Sequence, residues 1–204
     1  CVSAYAVGTQ VYVACGLLDA TFTSAGTQIS VIDSATNTVA TSFMLSAANP
    51  VGMLVETPAT STYGGDLLIA TAPSFNEFTT GCLARVTTGA TPGDHGCAVS
   101  NQAMAGLANH VAIAPDGEQA WIAVTGFSAD FSSSFGRLHA IDLATGALSA
   151  ARSPAAQNLN DVAACRDGYL VAADSTMGGS GVRIWKDGAE LTTGALDIGM
   201  PTGV

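Results

Sequence analysis

Short stretches in which apolar and polar residues alternate follow one another along most of the chain, separated by glycine and Ser/Thr-rich turns. The clearest is Ile29-Ser30-Val31-Ile32-Asp33-Ser34-Ala35-Thr36-Asn37-Thr38-Val39, and it reads almost like Leu138-His139-Ala140-Ile141-Asp142-Leu143-Ala144-Thr145-Gly146-Ala147-Leu148. Each copy alternates with period two, reaches an Asp, turns through Thr-Asn or Thr-Gly, and resumes with an aliphatic residue. Period two is the signature of a strand with one face buried. Asn37 and Gly146 tolerate the positive φ that a tight turn demands, and an Asp just before it accepts bonds from the turn amides, so both segments predict β-hairpins. A degenerate third copy runs from Val182 to Leu191. No window holds a 3.6-residue period without Gly or a Ser/Thr run breaking it, which argues against helices.

A second motif precedes each hairpin: Asn49-Pro50-Val51, Asn109-His110-Val111, Asn160-Asp161-Val162 and the weaker Met200-Pro201-Thr202. Two of the strands that follow end alike, at Pro115-Asp116-Gly117 and Arg166-Asp167-Gly168, and lead into Gln119–Val124 and Tyr169–Ala173. Without its long loops each unit is about 40 residues with four short strands, the size of a propeller blade. The expected fold is therefore all-β: a single β-propeller domain or fragment over 1–204, with four-stranded antiparallel blades at about 1–48, 49–106, 107–157 and 158–199. Residues 200–204 read as the start of a further innermost strand. Blade one already has candidates for four strands, so that strand finds no vacancy there. The expectation is a larger ring, of about seven blades.

These residues resemble the surface-layer-type propeller family with the YVTN repeat. Val31-Ile32-Asp33, Thr36-Asn37, Asn49-Pro50, Pro115-Asp116-Gly117 and Val11-Tyr12-Val13 match pieces of its unit, although no single blade carries the whole motif. Blade two departs most, with Leu83–Thr88 where Val-Ile-Asp should stand. The resemblance implies architecture more than activity, because lactonase-like and quinoprotein-like enzymes and many non-catalytic surface proteins are similar in fold.

Composition narrows the classes. Hydrophobic residues make up 48% and charged residues 11%, ample for a core and too little charge for a disordered chain. Six basic against sixteen acidic residues give a net charge of −10, which repels phosphate backbones and argues against nucleic acid. No apolar run reaches the roughly 18 residues of a transmembrane helix. Five cysteines carry no CxxC and no zinc spacing. Cys82 and Cys97 flank a turn-rich stretch, and Cys1 and Cys15 sit almost symmetrically about Gly8-Thr9. Both pairs suit hairpin disulfides of an oxidising compartment: periplasm, cell surface or secreted, and bacterial. The alternative is five reduced thiols, and Cys165 is left over in either case. A lipid anchor on Cys1 is conceivable, but Val2–Val7 reads as strand rather than polar tether.

Function is less legible. The connections Leu17 to Thr27, Ala72 to Gly81, Gly126 to Gly136 and Asp174 to Ser180 are long and fall on one face, together with the Asn motifs, and long loops commonly bind. Their aromatics Phe22, Phe75, Phe78, Phe127, Phe131 and Phe135 would serve as apolar anchors for a protein partner, or would pack back on their own loops. Asn49, Asn109, His110, Asn160 and Asp161 are expected around the channel mouth, either holding a small polar ligand or bonding backbone groups of the adjoining blade. No nucleophile elbow, phosphate loop or His-x-x-x-His pair occurs. The leading expectation is a non-enzymatic interaction or scaffold module without cofactor or metal, whose partner is another protein or the remainder of the propeller. The alternative is a propeller hydrolase or lactonase with a metal held by His110 and Asp161.

Overall fold

The computed structural model describes residues 1–20, 24–73, 79–128, 132–153, 157–176 and 179–197. Four antiparallel sheets follow one another along the chain, each built from consecutive strands in sequence order. The first contains β1 (Ser3–Val7), β2 (Gln10–Leu18), β3 (Ser24–Asp33) and β4 (Thr38–Leu45). The second contains β5 (Val55–Glu56), β6 (Leu67–Ala70), β7 (Cys82–Thr87) and β8 (Gly93–Ser100), followed by a single helical turn, α1 (Asn101–Met104). The third contains β9 (Leu107–Ile113), β10 (Gln119–Phe127) and β11 (Ser134–Asp142), and its fourth position is sketched by the bridges Ile141 to Leu148 and Gly136 to Gln157. The fourth contains β12 (Leu159–Ala164), β13 (Tyr169–Asp174), β14 (Gly181–Lys186) and β15 (Ala189–Glu190). Among the described residues no helix is long and apolar enough to cross a membrane.

Successive sheets stack face to face like blades. Tyr12, Ile29 and Val31 of the first meet Leu67, Ile69 and Val86 of the second. Leu68 and Leu83 of the second meet Val111, Ile122 and Ile141 of the third, and Trp121 and Leu138 of the third meet Val162, Leu170 and Trp185 of the fourth. The fold is a β-propeller with four blades in this chain. Among the described residues no core cluster joins the fourth blade to the first. Where blades converge, side chains must be small. A Cβ added at Gly52 would lie 3.2 Å from the backbone oxygen of Asn109 in the next blade, closer than most such contacts.

The hairpins close as their residues dictate. Asn37 and Gly146 adopt φ of 55° and 75°, and so do Asp187 and Gly188 in the degenerate copy, at 50° and 80°. Asp33 Oδ1 accepts the Ala35 amide at 2.8 Å, and Asp142 Oδ1 accepts Ala144 and Thr145 at 3.0 and 2.8 Å. Both expected disulfides are present, Cys1–Cys15 across β1–β2 and Cys82–Cys97 across β7–β8.

Two expectations need correction. The segments read as long loops in blades one and three are strand at both ends, because Gly16 pairs with Thr27, Leu18 with Ser24, and Gly126 with Phe135. Ladder pairing across glycine and threonine needs no apolar alternation, so the pattern hid it. The innermost strand of blade two is fragmentary, bridging at Pro50–Thr71 and resuming only at Val55–Glu56. Pro50 supplies no N–H to a ladder.

Non-reducing peptide mapping is expected to recover Cys1 linked to Cys15 and Cys82 to Cys97, with only the exposed Cys165 alkylated in native protein. Reduction should cost about 3 kcal/mol per bridge. Free alkylation of Cys82 and Cys97 before reduction would contradict the pairing.

Candidate functional site

The residues expected at the channel mouth are not equivalent. Asn109 and Asn160 are the extra residues at bulges in the innermost strands β9 and β12: Ala108 faces Val124 while His110 faces Ala123, and Leu159 faces Asp174 while Asp161 faces Ala173. A bulge re-aims side chains and sharpens the local bend. Asn49 instead stands before its strand, buried, in the left-handed region with φ 55°, and its Oδ1 closes on Gly16 of the preceding blade. The Asn109 amide reaches the Leu159 carbonyl at 3.5 Å, the limit of a hydrogen bond. Thr125 Oγ1, which the sequence did not single out, donates to the same carbonyl at 3.1 Å.

His110 and Asp161 are brought together across the seam between blades three and four. The His110 Nδ1 pairs with Asp161 Oδ1 and lies 3.2 Å from the Val162 carbonyl. A comparable seam joins blades one and two, where Ser3 Oγ accepts the Leu54 amide at 2.8 Å, and burial, helped by the Glu56 carboxylate, raises the Tyr5 pKa. The His110 pKa is raised above its ordinary value, chiefly by the hydrogen bond to Asp161; the Asp161 charge and the Val162 carbonyl add to this, and partial burial opposes it. No group of three or more His, Cys, Asp or Glu is placed to hold a metal among the described residues.

Of the loop aromatics, Phe22, Phe75, Phe78 and Phe131 lie outside the described residues. Phe127 and Phe135 close the β10–β11 hairpin, and the Phe135 ring lies over Gly126 of its own blade. Sequence reading also missed two ionic knots, each gathered on a buried carboxylate. Asp66 holds Arg85 at 2.7 Å and His95 at 2.9 Å, with the Arg85 guanidinium 4.7 Å from the Tyr63 ring. Fully buried Asp174 holds Arg183 at 2.5 Å, and Arg183 also reaches Glu190 at 2.7 Å. A buried carboxylate without a cation would be costly, so both Arg residues act in folding.

No protein-family model matches the chain, and no curated protein does. Solved structures do. A chain of hydrazine synthase from Kuenenia stuttgartiensis is similar over 93% of this chain and 46% of its own, at 16% identity and TM-score 0.57. The β-propeller domain of the trilobed protease from Pyrococcus furiosus is similar over 92% of this chain and 53% of its own, at 10% identity and TM-score 0.46. The chain thus spans about half the length of these two, and at such identities the likeness concerns fold alone.

Because the folded His110 pKa is raised, its contribution to stability is fully present below the ordinary histidine value of 6.5 and is lost as pH rises through the higher folded value. The melting temperature should therefore fall with pH across that window, and Asp161→Asn should flatten the fall; an equal pH slope in both proteins would contradict the seam. Separately, Thr125→Val should cost about 1 kcal/mol and Asn109→Ala less, by denaturant melts. The reverse order would put the seam on Asn109.

Proposed function

We propose that this chain is a non-catalytic β-propeller module that works by holding protein partners in an oxidising, extracytoplasmic compartment, as an arc of a larger ring. The observation that carries this reading is the placement of exposed apolar side chains. Among the described residues, the large hydrophobics that stand exposed are Val2, Leu17, Leu18, Val39 and Met44 in the first blade and Tyr169, Leu191 and Leu196 in the fourth, with Met53 alone between them. Blades two and three are covered on both sides, whereas the end blades are not, and exposed apolar surface of this kind favours association. The two disulfides support the compartment. The long-loop face, with Phe127 at the end of the β10–β11 hairpin, is the surface offered to a further partner. A hydrolase or lactonase metal would have to draw on His110 and Asp161, whose facing atoms are engaged with each other.

Sedimentation of residues 1–204 expressed alone should give oligomers or aggregates, and Val39→Lys with Leu191→Lys should shift them toward monomer. A monomer with a single cooperative melt, at concentrations where the variant behaves identically, would overturn the larger ring.

A further inference from the structure

Central strands are buried differently in an inner blade and in the two end blades. β10, with a blade on each side, is covered at every position but its ends. β2 instead alternates: Tyr12 and Ala14 are buried against blade two, while Val11 and Val13, which point the other way, are half-buried. On β3, Ile32 stands half-buried on that same outer side, opposite Ile29 and Val31. The far end of the chain mirrors this. Leu170 and Trp185 face blade three, whereas Val171 on β13 and Val182 and Ile184 on β14 point away from it and are half-buried. The outward positions of these four strands hold no Asp or Glu, in a chain with sixteen.

Three seams inside the chain show what covers such a face: each time, the opposite face of another blade. At the last of them blade three offers Trp121, Ala123, Leu138 and Ala140, and blade four receives them with Leu170, Ala172 and Trp185. Large side chains there stand against small ones. Blade four then offers Val171, Val182 and Ile184 onward, and the open face of blade one holds Val11, Val13 and Ile32 on the corresponding strands. Branched aliphatics of middle size thus match one another. We propose that the open face of blade four docks on the open face of blade one of a second copy of this chain, and reciprocally, closing an eight-bladed ring. This rests on the larger-ring reading above and names its partner. Closure selects the number of copies. Blade four and blade one of the same chain share no core cluster among the described residues. Propellers run to about eight blades, so two four-bladed arcs are the one assembly of identical arcs that fits. The two seams are then equivalent by a two-fold axis along the channel. Eight is one blade more than the repeats suggested.

Sedimentation of residues 1–204 should show a single dimer, tighter at high salt, because the net charge of −10 on each copy opposes association at long range. Val13→Lys, on the blade-one face, and Ile184→Lys, on the blade-four face, should each keep a cooperative melt. Each should also lose the dimer at concentrations where the wild type is fully dimeric, since every seam then lacks one side. Mixing the two variants should restore a dimer weaker than wild type, because one seam then joins the two intact faces. Where a lysine abolishes the melt, Val13→Thr and Ile184→Thr keep the β-branch, and the same loss and rescue are expected. A wild-type monomer would overturn the larger ring together with this pairing. A dimer that only one variant breaks, variants that mixing does not rescue, or heterogeneous aggregates of the wild type would overturn the second copy and leave the larger ring standing.

Discussion

A β-sheet has two faces, and a four-stranded sheet is too small to hide either by itself, so every blade here depends on the blade beside it. The wedge between two blades narrows toward the axis, and side-chain size follows the wedge. Buried alanines recur in the second strands, at Ala14, Ala70, Ala123 and Ala172, while Ile29, Leu138 and Trp185 fill the space at the third strands. β10, flanked by blades on both sides, is buried at every position except its two ends. It is apolar almost throughout, as expected of a strand with no solvated face.

Polar contacts serve this packing at its margins. Next to the axis the innermost strands exchange hydrogen bonds, Ser3 with Leu54 and His110 with Asp161 and Val162. On the opposite margin Thr62 donates to the Leu143 carbonyl at 2.7 Å, and the Tyr12 hydroxyl accepts the Gly89 amide at 3.1 Å. A buried polar group left unpaired costs more than the pair contributes net, so such bonds set blade register more than they add cohesion.

The parts of this structure legible in the sequence are those encoded locally. The Asp33 and Asp142 turns, the period-two strands and the symmetric placement of cysteines about short hairpins each depend on residues within about a dozen positions. What escaped is tertiary. Asp66 stands just before β6 and Arg85 lies on β7, and nothing between them announces the pairing. Asn49, Asn109 and Asn160 look alike in sequence but differ in role, because only two of them fall at a bulge. Pro115-Asp116-Gly117 and Arg166-Asp167-Gly168 are readable as turns, but a groove between them exists only once two blades are stacked.

The disulfides have a consequence for how the protein yields to force. Cys1–Cys15 and Cys82–Cys97 each staple two strands of one blade, and neither crosses a seam. Pulling on the chain therefore meets covalent resistance inside the first and second blades, and packing with a few hydrogen bonds between them. Such a molecule should part along its seams as whole leaves, keeping each stapled hairpin intact. Leaves that separate whole can also meet again, so extension can reverse without rebuilding the strands.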